Sequence, residues 1–387
     1  MAAVNLQDTF MHKGKECPKR YILVMGPTGA GKSTFIDNAM SPGDPTPKVG
    51  HGLESQTAEI QEYTIGEIIN NFEVILVDTP GFNDTENGDS LAFGQISGWL
   101  EQYPHPLPGV IYIYSIQTEK GTNSFVRSLE IFKKICGDPF SPNITLVTNK
   151  WSRPGTRTEH AREKELKDKD IFWAGLVGKH AKMRRYHYFD FNQEEFTSED
   201  PIQWAATDGS ENEASEGVGG EVREEISEEA GETAREMARE NARENAREII
   251  KEVLRNKLKK TRFQQQVFNE GRQAGGTSAC LAVVGHLAKI GADADDEEKH
   301  MKATAEELKE SDPEKSAYCH EQAEHARSQK ENIQKQWTIL ASLVDGIGSI
   351  LAAIAEKYGY PLLRDGVLSL TRAAAMHLGK EDFDPST

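Results

Sequence analysis

The clearest chemistry in this chain lies in one run, Gly26-Pro27-Thr28-Gly29-Ala30-Gly31-Lys32-Ser33. It has the spacing G-x-x-x-x-G-K-[ST], in which glycines let the backbone curl so that its N–H groups face an anion. A lysine at this place reaches the β- and γ-phosphates of a nucleoside triphosphate, and the hydroxyl after it holds Mg²⁺. Gly26, Thr28, Gly29, Ala30, Gly31, Lys32, Ser33 and Thr34 are therefore expected to bind nucleotide, with Lys32 also catalytic and Ser33 also a metal ligand. Such a loop needs a frame. Residues 21–25 are a short apolar run, the pattern of a buried parallel strand. Residues 33–40 read as the first turns of a helix, whose N-terminus favours negative charge.

A second acid belongs to the same chemistry. Residues 72–78 are almost wholly apolar up to Asp78, as in a central strand with an aspartate at its carboxyl end. Asp78-Thr79-Pro80-Gly81 then gives D-x-x-G, where Asp78 would bind Mg²⁺ through water and the Gly81 N–H would sense the γ-phosphate. Residues 58–65 read as an edge strand turned back by Asn70-Asn71, and the Pro- and Gly-rich residues 41–52 as a long mobile loop. Further on, strands are expected over 110–116, 143–148 and 186–189, and helices over 125–136 and 159–182. This alternation implies an α/β fold of the P-loop NTPase type, a mostly parallel sheet with helices on both faces and ligands at the carboxyl ends of its strands.

The chain divides into a flexible tail (1–18), a nucleotide domain (19–192), an acidic linker (193–231) too poor in apolar residues to fold alone, and an all-helical region (232–380). Residues 234–248 repeat Ala-Arg-Glu every four residues. Glu and Arg three apart support a solvated charged helix by about 0.2–0.5 kcal/mol per pair, and apolar spacing improves from Ile249 to Leu258. Helices are expected over 271–291 and 294–310, and another starting at Ser311-Asp312-Pro313-Glu314, which resembles a capping box. Within 337–358, Leu340, Leu343, Val344, Ile347, Ile350, Leu351, Ile354 and Tyr358 share one helical face. That face suits a core helix, or a helix that oligomerises or lies on a membrane surface. Asp345 near its middle argues against a span.

Net charge is −17, with 62 acidic against 45 basic residues, which argues against a general nucleic-acid binder while leaving room for one local basic patch. The four cysteines, Cys17, Cys136, Cys280 and Cys319, have no metal-site spacing and read as reduced cytosolic thiols. Residues 1–17 lack a signal peptide's apolar core, and Ala2 excludes myristoylation there, so a cytoplasmic protein, peripheral on a membrane if 337–358 bind one, is expected.

Guanine is normally read by N-K-x-D after a strand, the Asp accepting two hydrogen bonds from the base. Here Asn149 and Lys150 match, but Ser152 holds the aspartate's place. Losing that bidentate contact costs about 1–3 kcal/mol of discrimination.

Gly26 to Ser33, Thr57, residues 78–81 and Val147-Thr148-Asn149-Lys150-Trp151 together resemble the septin-like branch of P-loop GTPases, and within it the AIG-type group, over about residues 19–192. Ser55-Gln56-Thr57 resembles its first switch, and residues 109–137 a box between the second switch and the base signature. The resemblance implies that Thr57 closes on Mg²⁺ and γ-phosphate, that Thr57, Lys32 and Gly81 support hydrolysis, and that two chains pair across their nucleotide faces. No Gln follows Gly81 to orient water; Phe82, Asn83 and Asp84 stand there, and His51 and Arg153 are candidates to assist. The expected activity is Mg²⁺-dependent hydrolysis of GTP to GDP as a conformational switch. A relaxed ATPase, a non-hydrolysing scaffold regulated by nucleotide, and a membrane-active protein whose nucleotide domain only regulates the 337–358 helix are the alternatives.

Overall fold

The computed structural model describes residues 10–12, 15–47, 59–82, 88–118, 123–152, 155–186, 237, 239–344 and 347. Its centre is a six-stranded sheet in the order β4-β5-β3-β6-β7-β8, made of β3 (Lys19–Met25), β4 (Gln61–Thr64), β5 (Glu73–Asp78), β6 (Gly109–Ser115), β7 (Ile144–Asn149) and β8 (Lys182–Arg185). All neighbours are parallel except edge strand β4, which runs antiparallel to β5. Two short strands, β1 (Phe10–His12) and β2 (Lys15–Cys17), form a separate hairpin. The turn between β4 and β5 rests on Asn70 and Asn71, both in the left-handed region (φ 50 and 64). Asparagine tolerates that conformation because its short polar side chain bonds locally.

The sheet sorts its side chains by strand period. Tyr21, Leu23 and Met25 point into one core, and Ile22 and Val24 into the other. The second core is covered by α1 (Lys32–Ala39) and by α6 (239–254). The first is covered by α2 (Gly88–Gln102), α3 (Asn123–Cys136), and the longer helices near the carboxyl end.

Several sequence expectations change here. The helix expected over 159–182 is α4 (Arg157–Asp168), a turn, and the short α5 (Ala174–Val177). The last strand is therefore β8, earlier than 186–189, and of that segment only Tyr186 lies within the described residues. Both faces of α2 are used: Phe93, Ile96 and Leu100 face the sheet, while Gly94 meets Leu343. The Ala-Arg-Glu repeat is not solvated all round. Ala242, Ala246, Ile249, Ile250 and Val253 are buried against the sheet. Arg247 donates to Glu67 at 2.9 Å, to Ser41 Oγ at 3.0 Å and to the Ala39 carbonyl at 3.3 Å. Four-residue spacing stacks the small alanines into one seam and lets a helix approach the sheet closely. One of the expected pairs is present, Arg243 to Glu240 at 2.6 Å.

The segment after α6 is stitched to the sheet's amino end. Leu107 and Lys259 exchange backbone bonds at 2.8 and 2.9 Å, Asn143 Nδ2 donates to the carbonyls of Pro108 and Lys257, and Gln264 of α7 (Arg262–Gln264) donates to that of Tyr103 at 2.6 Å. The two helices expected over 271–291 and 294–310 are one, α8 (Ser278–Leu308), since Gly291 is tolerated inside it. α9 (Pro313–Leu343) starts at Asp312, whose side chain accepts from the Lys315 N–H at 3.1 Å, and runs back along α8. Ala294, Ala305, Ala323 and Ala326 are buried in this hairpin, and Lys330 crosses it to Asp295 at 2.5 Å and Glu298 at 2.9 Å.

α9 stops at Leu343, with Val344 extended, so the helix expected over 337–358 does not continue through 344. Within it, Trp337, Leu340, Val344 and Ile347 are buried in the first core; the described part is thus core rather than a free membrane or oligomer face, and residues 348–358 lie outside the described residues. Among the described residues no helix is long and apolar enough to cross a membrane. The tail expected to be flexible over 1–18 carries the β1–β2 hairpin in its described part, and the rest of it and the whole acidic linker lie outside the described residues.

A Cβ on Gly94 would lie 2.7 Å from Leu343 Cβ. Gly94→Val is expected to force α9 off α2 and to destabilise the chain by about 1–3 kcal/mol, as overpacking does; urea unfolding of the two forms measures it, and an unchanged midpoint would refute the close packing.

Candidate functional site

In-register pairing of β3 with β5 sets Val24 opposite Asp78, so the loops that follow both strands leave the sheet side by side. The Gly26–Ser33 loop wraps from β3 into α1, with Gly31 at the helix N-cap in the left-handed region (φ 97). Any Cβ at Gly31 would also meet Asn149 Nδ2 at 2.3 Å. Glycine is required there for both reasons. Lys32 is buried, and its ammonium sits over the loop, donating to the carbonyls of Pro27 at 3.1 Å and Gly26 at 3.3 Å. Ser33 Oγ donates to Asp78 Oδ2 at 2.7 Å, joining the two residues expected to share a metal. Thr34 follows in the first turn of α1.

The loop after β5 is seated on the phosphate loop. Thr28 N–H donates to the Phe82 carbonyl at 2.8 Å, and Phe82 N–H to the Gly26 carbonyl at 3.3 Å. Gly81 packs so tightly that a Cβ would lie 2.3 Å from Thr28 Oγ1 and 2.5 Å from Thr28 N. The D-x-x-G glycine is thus held to the phosphate loop by backbone contact, and any side chain would part the two.

Asn149, at the end of β7, does not present its amide to the cleft. It donates to the Ala30 carbonyl at 3.0 Å and accepts from the Lys150 N–H at 2.7 Å, so it ties the base loop to the phosphate loop. Lys150 has left-handed backbone (φ 61) and lines the cleft. The cleft itself has a volume of about 380 Å³ between Thr28, Gly29 and Ala30 on one side and Ser115, Gln117 and Thr118 on the other. Thr57, His51 and Arg153 lie outside the described residues.

The donor set suits Mg²⁺, a hard cation that takes oxygen ligands and is commonly held by one or two protein groups plus phosphates. Ser33 hydroxyl and Asp78 carboxylate supply such oxygens at the amino end of α1, beside Lys32. One site residue was missed from the sequence. Glu159 is buried and accepts hydrogen bonds from Ser152 and Thr156. Its signal was present as Thr156-Arg157-Thr158-Glu159, the T-x-x-E of a capping box, which the structure shows in full.

A parallel sheet with this loop between strand and helix, a D-x-x-G segment beside it and an N-K segment behind it defines the fold of P-loop GTPases. Residues 21–103 match the family model described as 50S ribosome-binding GTPase. Among solved structures, the chain is similar to Toc33 from Arabidopsis thaliana in complex with Mg²⁺ and GMPPNP, at 16% identity and a TM-score of 0.35, covering 44% of this chain and 70% of that one. It is also similar to Era Y63A from Aquifex aeolicus bound to GDP·AlF4⁻, at 18% identity and a TM-score of 0.28, covering 43% and 50%. No curated protein matches the chain.

Lys32→Ala is expected to abolish nucleotide binding while leaving the fold intact, because its bonds to the Pro27 and Gly26 carbonyls stay within its own loop. Calorimetric titration with GTP and Mg²⁺, alongside circular dichroism, checks this; retained binding would contradict the site.

Proposed function

We propose that this chain is a cytosolic Mg²⁺-dependent GTPase of the AIG-type, septin-like kind, in which the nucleotide state governs how a helical hairpin is held. The observation that carries the reading is the Ser33–Asp78 contact of 2.7 Å beneath the Gly-rich loop. It joins residues 45 positions apart in the two segments a metal–triphosphate site needs.

Backbone N–H groups of the 26–33 loop and the start of α1 would hold the phosphates, and the Lys32 ammonium would leave its two carbonyls to meet the terminal phosphate oxygens. Ser33, Asp78 and Thr57 would hold Mg²⁺, which would supply positive charge to offset that of the phosphates. Gly81, already against Thr28, is placed to offer its N–H to the γ-phosphate. Since no Gln follows Gly81, a group from a second chain paired across the nucleotide face would assist the attacking water, and a lone chain would hydrolyse slowly.

The route outward is short. The loop carrying Gly81 leads into α2, and α2 bears Gly94 against Leu343 of α9, and Phe93 at 6.3 Å from Phe263 of α7. A shift of that loop on loss of the γ-phosphate would move α2 and hence the seat of the α8–α9 hairpin.

Phosphate release from GTP, measured over a range of protein concentrations with Mg²⁺ or EDTA, tests this. Specific activity is expected to rise with concentration and to vanish with EDTA. Equal turnover of ATP would defeat the guanine assignment, and tight GTP binding without phosphate release at any concentration would leave a scaffold instead.

A further inference from the structure

The segment that begins Asn149-Lys150 departs from the guanine signature at Ser152, two residues beyond Lys150 of the cleft wall, and the structure shows what the serine bonds to. Its hydroxyl donates to Glu159 Oε1 at 2.8 Å, and its backbone N–H to the same oxygen at 3.0 Å. The other carboxylate oxygen accepts the Thr156 N–H at 2.7 Å. Glu159 is only 4% exposed. Burial by itself would raise its pKa, yet the Thr156 N–H, then the Ser152 hydroxyl and N–H, bring it below the ordinary glutamate value. An ionised carboxylate can only accept, so the one proton of the Ser152 hydroxyl is committed to Glu159. The half-buried hydroxyl oxygen offers lone pairs alone on its other side. Its segment is tied to the Gly-rich loop: Asn149 is bonded to Ala30, and Lys150 lines the cleft.

We propose that Glu159 is a positioning residue that makes Ser152 a single-oxygen acceptor, so that this site selects 6-oxopurine nucleotides through the ring N1–H and leaves the 2-amino group of guanine unread. The inference rests on the nucleotide reading above and narrows its ligand. A carboxylate has two oxygens for the two N–H donors on guanine's edge; a serine has one. Hypoxanthine keeps N1–H and lacks only the 2-amino group, so it fits equally. Adenine turns a bare N1 lone pair toward the serine oxygen, which has no proton left to give.

The test is calorimetric titration of the full chain with GTP, ITP and ATP, each with Mg²⁺. GTP and ITP are expected to bind within about threefold of each other and ATP about tenfold or more weakly, the size of one neutral hydrogen bond. Ser152→Ala is expected to bring GTP and ITP down together towards ATP. Glu159→Ala frees the hydroxyl to donate, and should lift ATP relative to GTP until the two agree within about threefold; a purely structural loss would weaken all three alike. An aspartate alone at 152 would face Glu159 across a hydrogen-bond distance and be repelled. The paired change Ser152→Asp with Glu159→Gln is therefore the one expected to create a preference of about tenfold for GTP over ITP. ITP binding tenfold weaker than GTP in the unaltered protein, ATP matching GTP, or a GTP-to-ATP ratio unmoved by Ser152→Ala in a folded protein would each overturn the proposal while leaving the phosphate site standing. Failure of all three nucleotides to bind would instead remove the nucleotide reading, and this inference with it.

Discussion

The parallel register between β3 and β5 is the constraint on which the site depends. Opposing Val24 to Asp78 brings two loops off the sheet at one level, and from that single alignment follow the Ser33–Asp78 bond, the seating of Phe82 on Gly26 and Thr28, and the contact of Gly81 with Thr28. A slip of one residue would turn Asp78 to the other face of the sheet and leave Ser33 without its acid. Both strands are almost wholly buried, and their apolar side chains divide between two separate cores. Burial on both faces therefore fixes the alignment that the chemistry uses.

Polar side chains do comparable work at the far side of the site. Asn149 commits its amide to the phosphate loop rather than to a ligand, and Glu159 closes the loop beyond it through Ser152 and Thr156. Two segments distant in sequence, the phosphate loop and residues 149–159, are thus tied by polar bonds beside the cleft. The helices beyond are joined to the sheet through α2, whose one face packs on it and whose other receives α9. The hairpin of α8 and α9 is accordingly part of the first core at its base, where Trp337 and Leu340 are buried, and a separate pair of helices farther out, held by alanines and by Lys330.

Much of this was legible from local pattern. The phosphate loop, the D-x-x-G segment and the Asn70-Asn71 turn announce themselves because each needs particular residue types for backbone reasons that do not depend on the rest of the chain. The buried strands read as apolar runs for the same cause. What failed to show was governed by distant partners. The Ala-Arg-Glu repeat looks solvated, since alanine is silent about whether a neighbour lies against it; the sheet face left open beside α1 supplied that neighbour. α2 has no clean polar face because two different layers cover it. The helix expected through 344 ends at Leu343, where the chain turns to place Val344 and Ile347 in the core.

By itself, then, the amino-acid sequence determined the α/β class, the Gly-rich turn between β3 and α1 and the acid at the end of the neighbouring strand, because these rest on local backbone freedom and strand period. Only the tertiary structure decided which helix covers the second face of the sheet, that α9 packs on the helix following Gly81, and that the serine in the aspartate's place donates its hydroxyl to a buried glutamate. Those outcomes turn on which surfaces meet across the fold, and the run of side chains along one segment carries no record of the surface it will be pressed against.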